Sequence, residues 1–164
     1  EFINAEHIGL ILKVLQSAFD YVVVDMPARF YEPVDPALQE ADLLLLITTQ
    51  DVATIRNIKA CLVALGSLNY PRHKIKLLLN RAESRSEIKS RDVETTLDQD
   101  LFGVLPAEYR LVSSSLNKGI PVVLLYPRAK VSRNFMKLAR RIAGDGTEKQ
   151  AATGKNRKAT EMER

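Results

Sequence analysis

Three short aliphatic runs constrain the fold most: LLLLITT from Leu43, KIKLLLN from Lys74 and LFGVL from Leu101. Each is too short for an independent helix, is bounded by polar or turn-forming residues, and lacks the strict alternation of a strand with one wet face. Between them lie stretches with helical spacing. From Asp51 onward, Ile55, Ile58, Leu62 and Leu65 fall on one face, and Gly66 stands where a left-handed helix cap is expected. Strands apolar on both faces, alternating with helices, describe a mostly parallel sheet flanked by helices, so the expected fold class is α/β.

The same reading extends to both ends. Asn4 caps a first helix carrying Ile8, Ile11, Leu12 and Leu15, which leads into a strand at Tyr21–Val24 within YVVVDMPARF. Pro33 and Pro36 break the chain before a short helical piece at 37–41. Further helices are expected at about 91–97 and 108–117, the latter stopped by Gly119 and Pro121, with a possible fifth strand at Val122–Leu125. A last helix is expected to start at Ser132 and to bury Phe135, Leu138, Ala139 and Ile142, with Arg133, Lys137, Arg140 and Arg141 opposite or flanking that stripe.

Composition narrows the classes. With 164 residues and 46% hydrophobic content the chain is expected to form one soluble globular domain over 1–144. No apolar run reaches the roughly 18 residues of a membrane span, and the start EFINAEHIGL lacks a secretory signal, so a cytoplasmic location is expected. A single cysteine, Cys61, excludes an intrachain disulfide framework and reads as a core thiol. Residues 1–125 hold 13 Lys+Arg against 16 Asp+Glu, whereas 126–164 hold 11 against 4, so the basic character is C-terminal. Residues 145–164 read as a disordered basic tail. A basic segment attracts nucleic acid or anionic surfaces but is more often a solvated face, so no nucleic-acid partner is expected. The lack of an initiator methionine, with a helix close behind Glu1, gives the expectation of a piece cut from a longer polypeptide.

In open α/β sheets ligands bind beyond the carboxyl ends of the strands. Those ends read Asp25-Met26-Pro27-Ala28, Thr48-Thr49-Gln50-Asp51, Asn80-Arg81 and Pro106-Ala107-Glu108. Asp25, at the tip of a valine run, is placed either to hold a metal-bound water beside a phosphate or to cap the following loop, and spacing does not decide between them.

Five segments in order, VVVDMPA, ADLLLLITTQDVATIRN, KIKLLLNR, LFGVLPAEY and NKGIPV, resemble the C-terminal half of MinD/ParA-type P-loop ATPases, and within them the CpaE/TadZ branch associated with Flp-type pilus assembly and polar localisation. The resemblance runs from about Asp20 to Ala143 and implies an incomplete P-loop NTPase fold. It implies that Asp25 acts on Mg²⁺ through water, that Pro27 and Ala28 belong to a loop sensing the terminal phosphate, and that Asn80 bonds the adenine base beside Arg81. Pro106 and Ala107 would line the base pocket. ATP and Mg²⁺ are the implied cofactors of the intact protein, which would form a homodimer and engage pilus or secretion machinery, recruited to a cell pole or the inner membrane face through partners.

Two departures stand against that pattern. Arg29 occupies a position where many members have glycine. Nothing in the 164 residues fits GxxxxGK[ST], the loop that grips phosphate. The fragment itself is therefore expected to be inactive, to bind nucleotide weakly, and to self-associate along strand edges that have lost a neighbour. A non-catalytic localisation scaffold with a degenerate site is the alternative. A receiver or flavodoxin-like module shares the alternating pattern, but Asp25 has no adjacent acidic partner.

Overall fold

The computed structural model describes residues 4–26 and 34–144. Their contacts separate into two compact units, Glu1–Leu44 with Pro71–Ile75, and Leu45–Tyr70 with Lys76–Arg164.

In the first unit, α1 (Ala5–Ala18) opens with a reciprocal cap. The His7 amide donates to Asn4 Oδ1 at 3.0 Å, and the Asn4 amide donates to His7 Nδ1 at 3.3 Å. These bonds satisfy two amides that a helix start leaves without partners. Helix α2 (Val34–Glu40) packs on α1, with Leu12, Ala37 and Leu38 buried. Lys74, in the 3-10 turn Arg72–Lys74, donates from Nζ to the Ala41 carbonyl at 2.7 Å.

The strand expected at Tyr21–Val24 is not formed. Residues 21–26 carry no helix or strand, and Val23 is 94% exposed. Three consecutive valines supply strand propensity, but a strand exists only where its amides and carbonyls meet a neighbour, and no described strand pairs with this tract.

The sheet has the order β1-β2-β3 among the described residues, with β1 at Leu44–Thr48, β2 at Ile75–Ala82 and β3 at Leu101–Pro106. β2 and β3 are parallel, pairing Leu77 with Leu101, Leu78 with Gly103, Leu79 with Val104 and Ala82 with Pro106. As the central strand, β2 is covered on both faces, with Leu77 1% and Leu79 0% exposed, which is why KIKLLLN shows no alternation. Helix α3 (Val52–Ser67) connects β1 to β2 and turns Ile55 and Leu65 inward. The left-handed residue after it is Asn69 (φ +54°), not Gly66, which lies inside the last turn. Helix α4 (Ser90–Leu97) buries Val93 and Leu97 and leads into β3. After β3 comes α5 (Tyr109–Lys118), ended by Gly119 at φ +62°, as the sequence led us to expect.

Val122–Leu125 is helical (α6) rather than a fifth strand. Pro121 starts the turn, and the amides of Leu124 and Leu125 return to the Pro121 carbonyl, a local closure that a strand cannot make. The last helix, α7 (residues 130–144), begins before Ser132. Ser132 is 1% exposed and donates to the Val122 carbonyl at 3.1 Å instead of capping.

Helix α7 runs antiparallel to β3, because successive contacts climb one element as they descend the other. Glu108 meets Val131, Val104 meets Asn134, and Phe102 meets Arg141. The residues it turns to β3 are therefore Val131, Asn134, Leu138 and Ile142, with exposed Arg141 reaching over the strand edge, while Phe135 (38%) and Ala139 face solvent. The Asn134 amide donates to the Val104 carbonyl at 2.8 Å, and the Arg141 guanidinium donates to the Phe102 carbonyl while stacking 4.3 Å from the Phe102 ring centre. These two side chains occupy alternate carbonyls along the outer edge of β3. Between them Leu138 joins Leu78, Phe102 and Leu105 in the core. The helix comes so close that a Cβ on Gly103 would lie 2.8 Å from Leu78 Cδ1 and 3.2 Å from Leu138 Cδ1.

Candidate functional site

The tips of the three strands in the second unit are tied together by short polar contacts. At the β1 tip, Asp51 caps α3: its carboxylate accepts from the Thr54 amide at 2.8 Å, the Thr54 hydroxyl at 2.7 Å and the Thr49 hydroxyl. The Thr49 hydroxyl bond, followed by those from Thr54, holds its pKa down at about 2. Beside it, Gln50 spans the loop after β2, accepting from the Glu83 amide at 2.7 Å and donating to the Ile88 carbonyl at 2.7 Å.

At the β2 tip, half-buried Asn80 accepts the Arg81 amide on Oδ1 at 2.9 Å, so its NH₂ is the group left for another acceptor. Arg81 sits at φ +51°, a left-handed conformation that costs a side-chain-bearing residue about 1–2 kcal/mol. Such strain gathers where the backbone must turn sharply at a site. The β3 tip is tied to β2 by the Ala107 amide donating to the Ala82 carbonyl at 3.0 Å. Next in the chain, Glu108 accepts the Val131 amide on Oε2 at 2.8 Å, capping the first turn of α7.

The β2 and β3 tips border an open groove of about 360 Å³. Ala82, Pro106 and Ala107 give it apolar walls, and Glu83, Arg85, Glu108 and Lys130 surround them. A volume of this size falls in the lower range for small-molecule sites. A second, polar hollow of about 550 Å³ lies at the opposite end of β3, between Arg91, Glu94 and Asp98–Asp100. Its Glu94 carboxylate is engaged by the Leu101 amide at 2.9 Å, so it serves the α4–β3 junction.

Of the residues singled out from sequence, Pro106 and Ala107 line the groove, and Asn80 and Arg81 stand at the end of the adjoining strand without entering its wall. Asp25 belongs to the first unit and is exposed. Pro27, Ala28 and Arg29 lie outside the described residues. Glu108, placed at the ligand edge from sequence, lines the groove, but Glu83, Arg85 and Lys130 were missed as wall residues; Lys130 comes from another element and carries no local signal. Cys61 is half-buried, and the loss of water around it raises its thiol pKa.

An apolar lining of Ala82, two residues beyond Asn80 in β2, with Pro106 and Ala107 is of the kind that takes an aromatic ring. Among the described residues no group of three or more His, Cys, Asp or Glu side chains could hold a metal ion, and the 164 residues contain no GxxxxGK[ST]. The described residues therefore supply an apolar strand-tip groove and no cluster able to hold a metal ion.

No protein-family model matches the chain. Over 151 residues it is 30% identical to the septum site-determining protein MinD of Thermotoga maritima, covering 89% of this chain and 55% of that protein. It is 27% identical over 147 residues to MinD of Synechocystis sp., covering 87% and 54%. Among solved structures, a ParA family ATPase from Chlorobium tepidum superposes with a TM-score of 0.79 at 24% identity, covering 84% of this chain and 57% of that one. MinD of Pyrococcus horikoshii, solved with Mg-ADP, superposes at 0.71 with 21% identity, covering 85% and 56%. The structural likenesses bear on the fold alone, and the chain spans about half the length of the curated relatives it matches. Over most of its length this chain is similar in sequence to MinD proteins and in fold to MinD and ParA family structures.

Proposed function

We propose that the chain supplies the base-binding side of a MinD/ParA-type ATPase site, whose complete form binds and hydrolyses ATP with Mg²⁺. In this reading Asn80 presents its NH₂ to the adenine ring, Pro106 and Ala107 line the base pocket, and Arg81 completes the turn after Asn80. By the resemblance alone, Asp25 would act on a metal-bound water and Pro27 and Ala28 would belong to the phosphate-sensing loop of the complete protein. Magnesium would neutralise phosphate charge in the complete protein, and the described residues of this chain would hold the base. The observation that carries the reading is the apolar lining of Ala82, Pro106 and Ala107 at the tips of β2, the strand that carries Asn80, and β3.

Because the phosphate-gripping motif does not occur in these 164 residues, the chain alone is expected to bind nucleotide through the base and to turn nothing over. Titrating the chain with adenosine, AMP and Mg-ATP, followed by backbone amide shifts, tests this. The expected result is weak binding that perturbs Asn80, Ala82 and Ala107, is nearly indifferent to phosphate number, and is abolished in N80A. Mg-ATP binding about 100-fold tighter than AMP would overturn it, since that gain requires phosphate contacts worth about 2.7 kcal/mol.

The finer assignment, to the CpaE/TadZ branch with pilus or secretion partners, rests on the resemblance of the five segments; the relatives described above carry the MinD name. A homodimer and a protein partner are proposed with it. One neighbouring structure, MinD of Aquifex aeolicus in complex with MinC, has 24% identity and a TM-score of 0.76, covering 88% of this chain and 60% of that one. No helix among the described residues is long and apolar enough to cross a membrane, so attachment to a pole or membrane face is proposed to pass through partners. A scaffold with a degenerate nucleotide site is the second reading, favoured by Arg29 in place of glycine. It requires that N80A leave localisation of the intact protein unchanged.

A further inference from the structure

We infer that Glu108 is a positioning residue that couples occupation of the strand-tip groove to the seating of α7, so that a bound base is felt on the basic outer face of that helix. The inference rests on the base-groove reading. Glu108 belongs to two structures at once. It lines the groove with Pro106 and Ala107, and its Oε2 holds the Val131 amide at 2.8 Å, in the first turn of α7. The neighbouring residue on that turn, Lys130, lines the same groove. An anion at a helix N-terminus meets both unpaired amides and the positive end of the helix dipole, so this contact helps fix where α7 begins.

The rest of α7 is fastened to β3, so its first turn is the part that the Glu108 contact sets. Asn134 and Arg141 are bonded to the edge of β3, and Leu138 is buried close above Gly103. Its outer face presents Arg133, Lys137 and Arg140 to solvent. A carboxylate has two oxygens, and among the described residues only Oε2 is bonded. A ligand amine donating to Oε1 would fix the carboxylate plane and tighten its grip on Val131. The ligand class is therefore a purine with an exocyclic amine in reach of Glu108, held by its base and not by its phosphates.

The test is hydrogen exchange across α7 in the full 164-residue chain, with AMP and with inosine monophosphate, which has a carbonyl where AMP has the amine. AMP is expected to slow exchange at Val131 and Ser132 roughly threefold, the size set by a helix-terminal charge contact, and inosine monophosphate to do so less. E108Q still accepts from Val131 through its amide oxygen but offers NH₂ to the ligand, so its preference should swap to inosine monophosphate while the helix start stays protected without ligand. E108A should raise exchange there with no ligand present. AMP binding that shifts Asn80 and Ala107 yet leaves exchange at 131–132 unchanged overturns the coupling alone, as does an unaltered purine preference in E108Q. Failure of the wild-type chain to bind either nucleotide overturns the base-groove reading, and this inference with it.

Discussion

The β3 strand and the Tyr21–Met26 tract are both rich in apolar residues and differ in what their backbones meet. β3 is paired on one side with β2, and on its other side Asn134 and Arg141 occupy the Phe102 and Val104 carbonyls. The valine tract has no described ladder partner and leaves Val23 almost wholly in water. Apolar side chains decide which residues leave water; the backbone decides whether they do so as a strand. An unpaired edge is also a template for association, and α7 removes one such edge without adding a strand.

The largest test of this contrast acts where α7 meets β3. G103V places a branched side chain where only hydrogen fits, and overpacking of that kind should cost about 3 kcal/mol, read as a fall in the urea midpoint with an unchanged slope. A variant that loses less than about 1 kcal/mol would show that helix and strand are not in close contact. Next in size is N134A/R141A, which frees both carbonyls and the Phe102 ring while keeping Val131, Leu138 and Ile142. It should lose about 1–2 kcal/mol and show concentration-dependent association by light scattering. Loss of stability without association would mean that the edge needs no cover. The smallest effect is expected from V23K. With Val23 94% exposed, stability should stay within about 0.5 kcal/mol, and any self-association through the valine tract should weaken.

The parts legible in the sequence were those where one cause acts. KIKLLLN reads as a strand because burial on both faces leaves a single solution, and α3 reads as a helix because Asp51 and its stripe agree. Legibility failed where a polar group serves a distant partner. Asn134 and Arg141 interrupt the apolar stripe of α7 to satisfy carbonyls 30 and 39 residues back, so a periodicity count that scores only hydrophobicity chose Phe135 and Ala139 instead. Ser132 looked like a cap, yet the capping oxygen comes from Glu108. The candidate site divides similarly. Pro106 and Ala107 follow from where β3 stops, whereas Lys130 enters the groove from another element. The roles assigned to Asp25, Asn80 and Arg81 came from family resemblance and not from spacing.

Gln50 turns the segment that follows β2 into something closer to a hoop than a flap. Its one amide group clasps the Glu83 nitrogen and the Ile88 oxygen together, so the span carrying Glu83 and Arg85 is pinned at both feet to the same short side chain. A wall fastened in that manner has no free end to swing: access past it should come by releasing both clasps in one event, and a solvent-exposed stretch would then exchange its amides with the cooperativity of a buried one.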